Sequence, residues 1–382
     1  MFALFFLVTA SSLVLTSHAL CAEMSPWSLR RPKMRSTFTS GRSSGVNACS
    51  SAYLSRHCIR GESSRLQDSS FSVHRLSPLF SASSDELVGE AAAEFSLDEQ
   101  TAKSWGIFGA AVTGMLTSLY LVWMWPGGPQ LGDAWVQSMV DLAGGDSSFA
   151  IVYMLAFFAV VHSGLASLRP AAEEVIGARS WRVVFAAASL PLAFSCIVYF
   201  INHRYDGVQL WDLTDYFTRA QIHDFVWWTS LISFLFLYPS TFNLLEIAAV
   251  DKPKLHLWET GITRITRHPQ MVGQVMWCAA HTAYIGTSFM VATSAILCAH
   301  HFFAVWNGDR RLKDKFGEKF DIIQERTSTV PFAAILSGKQ ELPENYFFGE
   351  LVKVPYATVI AGTLAAYYAH PFMQAGSTLV GY

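Results

Sequence analysis

The chain has 382 residues, of which 52% are hydrophobic and only 15% carry a charge, and its mean hydropathy is +0.29. Soluble domains contain about 25% charged residues, so the composition argues against an ordinary soluble protein and indicates a polytopic membrane protein. The formal net charge of -2 excludes the basic surface that is typical of nucleic-acid binding proteins. The six cysteines show no spacing typical of a zinc site or a disulfide framework.

The N-terminal part of the chain is predicted to be a targeting leader in two segments. Residues 1–22 contain an apolar core and resemble a secretory signal peptide, whereas residues 23–84 are rich in Arg and Ser and poor in acids, as transit peptides are. This order is expected for plastids enclosed by extra membranes; the alternative is a disordered N-terminus of a secreted protein. Residues 85–104 are predicted to form a short surface segment with helical character, and residues 105–382 the transmembrane domain.

We predict that the transmembrane domain is an all-α bundle of six or seven spans. A helix needs roughly 20 apolar residues to cross the hydrocarbon core, and seven segments approach this length: Trp105–Trp125, Phe149–Leu168, Trp181–Ile201, Phe225–Leu245, Gln270–Tyr284, Thr287–Trp306 and Tyr356–Met373. The fifth segment is short, so it forms either a span or half of a bent hairpin that turns near Tyr284–Ser288.

The loops between these segments predict how the protein is oriented in the membrane. Basic residues concentrate in alternate loops, which places the mature N-terminus and the C-terminus on opposite sides, with the basic side facing the stroma if the membrane belongs to a plastid. After the sixth segment, the spacing of Phe316, Phe320 and Ile323 predicts an amphipathic helix on the basic face.

Histidines inside the apolar segments are the first candidate functional residues. At a helical rise of about 1.5 Å per residue, His162, His281 and His301 lie roughly 9, 16 and 10 Å inside their spans. Ionisable residues at such depth are costly and usually functional; the alternative is a histidine that is hydrogen-bonded to a neighbouring helix. Because His300 and His301 are adjacent, they point different ways around a helix, and only one of them can face a given site.

The surroundings of these histidines favour haem over a hard cation. No carboxylate lies near them in sequence, which argues against an oxygen-ligand site, whereas one His from each of two helices suits a haem with apolar walls. Cys278 lies one turn before His281 on the same helix face, so either residue would reach the same iron and the two would be able to exchange as ligand. Cys196 and Cys298 are predicted to be small core residues, and His203 lies at the membrane surface.

A second motif supports an alternative to the hypothesis of haem binding. Arg267-His268-Pro269, followed by Gly273 and by FGEKF after the sixth segment, resembles the membrane methyltransferases that modify isoprenylcysteine and phospholipids. In those enzymes the histidine and later polar residues bind S-adenosylmethionine. This sequence departs from the pattern, because Asp309-Arg310 stands where a pair of glutamates is usual. A membrane methyltransferase is therefore an alternative function, and a haem-containing electron carrier without enzymatic activity is another.

Longer stretches carry a more specific resemblance. HSGLASLR from His162 to Arg169, RITRHPQMVGQVMWCAAHTAYIGTSF, AHHFFAVWNGDRRLKDKFGEKF, ERTSTVPFAAI and YYAHPFMQAG occur in this order and closely resemble the plastid carotene isomerases of the NnrU-like membrane family. The resemblance extends from about Ser148 to the C-terminus, whereas the leader has no counterpart beyond its targeting role.

The resemblance implies an integral plastid membrane protein with haem b. It implies isomerisation of the 15,15' double bond, which converts 9,15,9'-tri-cis-zeta-carotene to the 9,9'-di-cis isomer when the haem is ferrous. His162 and His281 match the haem-ligand and catalytic histidines, and Cys278 matches the alternative ligand. Further family histidines with less defined roles are matched by His203, His268, His300, His301 and His370. The implied partners are the carotene, plastid membrane lipids, a reductant and other enzymes of the carotenoid pathway, and no nucleic acid.

Overall fold

The computed structural model describes residues 87–91, 102–238, 257–352 and 354–380. The predicted signal segment (1–22) and transit segment (23–84) lie outside these residues. Within the described ranges every regular element is a helix, and the β-structure is confined to two isolated bridges. The prediction of an all-α fold is confirmed.

The helices follow one another with short connections. In chain order they are α1 (Ala102–Leu119, continued by a π-helical turn at Tyr120–Met124), α2 (Leu131–Leu142), α3 (Ser147–Ile176), α4 (Ala178–His203), α5 (Arg219–Leu237), α6 (Ile262–Ile265), α7 (Pro269–Ile285), α8 (Ser288–Phe316), α9 (Glu318–Arg326), α10 (Ala333–Leu336) and α11 (Val354–Ser377). Short 3-10 and π-helical turns occupy Leu213–Asp215 and Phe347–Leu351.

Helices overlap all seven predicted spans, but only some meet the length and hydropathy expected of a membrane crossing. Of the described helices, α3, α8 and the part of α4 from Ser180 to His203 are long and apolar enough. α7 has 17 residues, fewer than the roughly 20 that a span needs, and the predicted fourth span runs past the described end of α5. The number of crossings therefore stays a prediction.

Side-chain caps define where several of these helices begin. The Asp146 carboxylate accepts hydrogen bonds from the first backbone N–H groups of α3, and Thr218 and Gln221 form a capping box at the start of α5. The Thr287 hydroxyl caps α8 in the same way. Each cap satisfies backbone donors that have no partner within the helix, so the polar residues between the apolar runs set the helix boundaries.

The turn between α7 and α8 lies within Tyr284–Ser288, as predicted. α7 ends at Gly286, which has a left-handed φ of 68°, and a Cβ added there would lie 2.3 Å from the carbonyl oxygen of Trp211. Glycine is needed for both reasons, since it tolerates positive φ and leaves room for a close backbone approach. The Gly286 carbonyl in turn accepts a hydrogen bond of 2.7 Å from the N–H of Leu210. The loop before α5 is thereby fastened to the hairpin turn.

The arrangement of the helices brings the histidine-bearing segments together. α8 packs against both α3 and α7, α5 packs against α7, and α11 contacts α4 and α5. The largest buried apolar cluster lies between α3, α4 and α8, and it includes Ile151, Met154, Cys196 and Phe289. The prediction that Cys196 is a small core residue is confirmed.

On the predicted basic side, α9 buries one face. Phe320 and Ile323 are 1% and 2% exposed and pack with Leu257, Leu312 and Phe316. Phe320 and Ile323 share one buried face, as their spacing predicts. Phe316, however, is the last residue of α8, and Gly317, with a φ of 56°, separates it from α9. The amphipathic helix is therefore confirmed for Glu318–Arg326, without Phe316.

Residues 87–91 dock beside α9 in a non-helical conformation, so the predicted surface helix does not include them. Glu259, which is 2% exposed, accepts hydrogen bonds from the N–H groups of Val88 and Gly89 at 2.7 and 2.8 Å and pairs with Arg326. A buried carboxylate is stable only when it is paired in this way. Two backbone hydrogen bonds join the same segments, from the N–H of Glu90 to Leu257 and from the N–H of Glu259 to Glu90. Residues 87–91 are thus held by a buried acidic side chain and by backbone pairing with a distant part of the sequence.

Gly273 is predicted to be required for the contact between α5 and α7. A Cβ at this position would lie 2.5 Å from the carbonyl oxygen of Ser233 and 2.8 Å from the backbone nitrogen of Leu237, and small residues are what allow helix backbones to approach in membranes. Gly273→Ala should therefore lower the midpoint of thermal unfolding in detergent, with a cost of about 1–3 kcal/mol.

The matched control is Gly308→Ala in α8, where a Cβ would meet no described atom within 4 Å. Alanine there should be neutral or stabilising by up to about 1 kcal/mol, because it is the better helix former. Equal unfolding midpoints for the two variants would show that the backbones of α5 and α7 do not depend on Gly273.

Candidate functional site

His162 lies in α3 among aromatic side chains and faces α8. Its ring centroid is 5.2 Å from that of Phe158 and 4.9 Å from that of Phe185, and 6.2 Å from that of His300. Its Nδ1 atom is buried and has no hydrogen-bond partner in the part of the chain that the structure describes. A buried polar atom without a partner is costly, so this nitrogen is suited to bind a group that the polypeptide does not itself supply.

The neighbouring histidines of α8 take different partners, as their adjacency predicts. Nε2 of His300 lies 3.2 Å from the hydroxyl of Ser163 in α3, whereas Nδ1 of His301 lies 3.0 Å from the carbonyl oxygen of Leu297 in its own helix. The structure therefore brings His300 to His162 across the α3–α8 contact. His301 is instead tied to the backbone of α8.

His281 lies in α7 in an orientation that suits a metal ligand. Its Nδ1 is 2.9 Å from the carbonyl oxygen of Trp277, and its ring stacks on that indole with centroids 4.0 Å apart. With Nδ1 engaged on a carbonyl, the lone pair of Nε2 points away from the helix backbone. Histidine ligands of metals are commonly held by a hydrogen bond of this kind through their other nitrogen.

Cys278 occurs on the same helix but is directed at α8. It is 2% exposed, its sulfur accepts a hydrogen bond from the amide of Gln274 at 3.3 Å, and the thiol of Cys298 in α8 lies beside it. Cys298 was predicted to be a small core residue, yet it is only partly buried. Sequence reasoning missed this pair, because Cys278 lies 8 residues before Gly286 and Cys298 lies 12 residues after it, so their positions in the sequence gave no signal of the contact.

The methyltransferase-like motif is assembled into an ion-pair cluster. Nη2 of Arg267 lies 3.2 Å from Oδ2 of Asp309, and Arg267 also donates to Thr327 and Thr329. Nε2 of His268 lies 2.9 Å from Oδ1 of Asp309, although this contact lacks the alignment of a hydrogen bond. Asp309 stands where the methyltransferases have a pair of glutamates. Its carboxylate is therefore already in contact with Arg267 and His268 of the same motif.

The two remaining family-matched histidines have local partners. His203, at the end of α4, has its Nδ1 2.7 Å from a carboxylate oxygen of Asp206, and its ring stacks on Tyr199 with centroids 4.1 Å apart. His370, in α11, has its Nδ1 3.0 Å from the carbonyl oxygen of Ala366. Neither residue is brought to His162, and both are held within a turn of their own position in the chain.

The histidines and cysteines of the described residues suit a haem better than a bare metal ion. In residues 87–91, 102–238, 257–352 and 354–380, no three His, Cys, Asp or Glu side chains lie close enough to hold a bare metal ion. A haem iron needs only one or two axial ligands from the protein and apolar walls around the porphyrin. The unpartnered Nδ1 of His162 and the oriented ring of His281 fit that requirement. The rings of His162 and His281 do not contact each other. They lie in α3 and α7, and α8 packs against both of these helices.

The family of the chain follows from comparison with known proteins. A sequence model described as "NnrU protein" matches residues 150–376. The proteins named "15-cis-zeta-carotene isomerase, chloroplastic" of Zea mays and Arabidopsis thaliana are each 52% identical to this chain over 76% of its length and 78% of their own. No solved structure matches. Because the family match covers more than half of its residues, the chain belongs to the NnrU protein family.

Proposed function

We propose that this protein is a 15-cis-zeta-carotene isomerase of a plastid membrane. The observation that carries the proposal is the 52% identity, over 76% of the chain, to two proteins of that name. The substrate would be 9,15,9'-tri-cis-zeta-carotene and the product its 9,9'-di-cis isomer. All candidate histidines and Cys278 lie within residues 150–376, the region that matches the family.

We further propose that haem b binds in the membrane domain, where His162 and His281 would hold the iron and Cys278 would be the alternative ligand. Bound there, the haem would supply a redox-active iron whose potential depends on the identity of its axial ligands. His300 is a secondary candidate because it contacts Ser163 beside His162. The proposal includes a reductant as partner, since activity is assigned to the ferrous form.

The chain's own residues contribute orientation and exclusion of water. The carbonyl oxygen of Trp277 holds a proton on Nδ1 of His281, which leaves the lone pair of Nε2 for a ligand bond. Phe158 and Phe185 surround His162 on two sides and keep water from its unpartnered nitrogen. An apolar environment of this kind also suits a hydrocarbon substrate that is delivered from the bilayer.

The proposed location is a plastid membrane crossed several times by the chain. Both relatives are described as chloroplastic, and three described helices are long and apolar enough to span a bilayer. The Arg- and Ser-rich composition of residues 23–84 supports import into a plastid. Membrane lipids would then surround the apolar faces of the bundle.

The proposal is tested with mature protein that is produced with ample haem supply and purified in detergent. We expect a Soret band and, after reduction with dithionite, the sharp visible bands of a low-spin haem b. Anaerobic incubation with 9,15,9'-tri-cis-zeta-carotene should then give the 9,9'-di-cis isomer, detected by chromatography, only in the reduced sample.

The other outcomes separate the alternatives. Full turnover by protein free of haem would disprove the cofactor assignment and leave the isomerase intact. Normal redox cycling of bound haem without any change in the carotene would indicate an electron carrier. Binding of S-adenosylmethionine by haem-free protein, abolished by His268→Ala, would indicate a methyltransferase.

A further inference from the structure

A cleft of about 620 Å³ lies along the α7–α8 hairpin. This volume is within the range of roughly 300–1,000 Å³ that small-molecule sites occupy. Its wall is made largely of small side chains, among them Ala279, Ala283 and Ala295, which keep the groove between the two helices open. We call it the α7–α8 cleft.

The two hydroxyl groups in the α7–α8 cleft are hydrogen-bonded to each other. The hydroxyls of Thr282 and Ser294 are 2.6 Å apart, and the Cys278 sulfur accepts a hydrogen bond from the amide of Gln274 at 3.3 Å, with the Cys298 thiol beside it. The two hydroxyl residues and the two cysteines line the cleft. Since the two hydroxyls satisfy each other across the hairpin and thiols are only weakly polar, the surface that remains for a ligand is largely apolar.

One end of the cleft is closed by Trp211, which is fixed in place. Its indole N–H donates to the carbonyl oxygen of Ala283 at 3.0 Å, and its backbone carbonyl accepts from the side-chain amide of Gln209 at 2.5 Å. The same amide donates to the carbonyl oxygen of Ile285 at 2.9 Å. The cleft is therefore open along its length and bounded at the Ala283 end by a hydrogen-bonded indole.

The lining determines what kind of molecule fits. Among the described residues that line the cleft, none is Asp, Glu, Lys or Arg, so a phospholipid headgroup would find no charged partner there. An indole and two sulfurs offer polarisable contacts, which favour a conjugated chain over a saturated one. The chemistry thus points to an uncharged, extended polyene.

We infer that the α7–α8 cleft binds the conjugated central part of the carotene substrate, with Trp211 at one end and Cys278 and Cys298 on its wall. The inference rests on the proposed function for the identity of the polyene. Cys278 precedes His281 by three residues, which is roughly 4.5 Å along the helix axis. Substrate in the cleft would therefore lie beside the candidate ligands on α7.

The test fills the cleft without disturbing the core. Ala279→Leu and Ala295→Leu add bulk at two positions that are exposed in the structure, so both variants are expected to fold and to keep the haem spectrum of the wild type. Ala299→Leu is the matched control, because Ala299 is also exposed on α8 but does not line the cleft.

Substrate binding and turnover are both measured, with the mature protein and 9,15,9'-tri-cis-zeta-carotene. Binding is followed by the circular dichroism that the protein induces in the polyene absorption, and turnover by chromatography of the isomers. For Ala279→Leu and Ala295→Leu we expect at least a tenfold weaker affinity and a tenfold higher KM, with kcat less affected. Ala299→Leu should match the wild type in both measurements.

The possible results test the proposed substrate cleft and the proposed function independently of each other. Polyene binding that is lost in the two cleft variants, without isomerisation by any protein, would uphold the cleft and overturn the proposed function. Normal turnover with unchanged affinity in both cleft variants would overturn the cleft and leave the function standing. A phospholipid that co-purifies with the wild type, is lost from Ala279→Leu and is not displaced by carotene would also overturn the inference.

Discussion

Replacing either His162 or His281 by alanine is expected to remove the haem absorption and to lower isomerisation by more than about 100-fold. Loss of a residue that only supports a metal ligand typically costs about 10–100-fold in affinity or activity, so loss of the ligand itself should cost more. The visible spectrum reports haem content, and chromatography of the carotene isomers reports activity. The variants also leave Phe158 and Trp277, their aromatic neighbours, unchanged.

His223→Ala is the control for this experiment. His223 lies near the start of α5, 2.9 Å from the hydroxyl of Tyr367, and its side chain is 44% exposed; the variant should keep both haem and activity. His300→Ala should keep the haem and lose about 10–100-fold in activity, as expected of a residue that supports a ligand. Haem loss in His300→Ala together with haem retention in His281→Ala would move the second ligand from α7 to α8.

Replacing Glu350 by alanine is expected to destabilise the protein by about 3–5 kcal/mol, because it leaves a buried arginine without its partner. The Glu350 carboxylate accepts from Nε and Nη2 of Arg264 at 2.9 and 3.1 Å and from the N–H of Gly261 at 2.6 Å. Arg264 is 8% exposed. A drop of the unfolding midpoint on the order of 10 °C should follow, measured by thermal unfolding in detergent.

Tyr346 belongs to the same hydrogen-bond network as Glu350 and Arg264, and it should keep its own hydrogen bond when Glu350 is replaced. The hydroxyl of Tyr346 donates to the carbonyl oxygen of Gly261 at 2.8 Å. Burial, together with the nearby Tyr356 and Glu350, raises the pKa of Tyr346 above its ordinary value. The hydroxyl therefore stays protonated and continues to donate across the neutral and moderately alkaline pH range.

Two controls distinguish loss of a buried ion pair from a general surface effect. Arg264→Leu combined with Glu350→Leu removes both charges and should recover part of the lost stability, since apolar replacement of a buried pair is often tolerated. Asp314→Ala breaks the exposed pair with Arg310 and should cost less than about 1 kcal/mol. If Glu350→Ala and Asp314→Ala were equally mild, Arg264 would be solvated without its partner.

The sequence alone determined the features that depend on residues close together in the chain. Low charge and long apolar runs predicted the helical bundle, and the glycine before Thr287 lies where the α7–α8 hairpin turns. The spacing of Phe320 and Ile323 predicted which face of α9 is buried. These predictions succeeded because helix periodicity, capping and turn formation are governed by residues within a few positions of each other.

Only the tertiary structure decided which distant residues meet. Cys278 lies beside Cys298, and Arg264 forms an ion pair with Glu350. The ring of His162 lies near that of His300, not that of His281. Sequence reasoning treated Cys298 as a core residue and gave no role to Trp211. The physical reason is that helix crossing and rotation depend on how side chains of all neighbouring helices pack, which no single segment encodes.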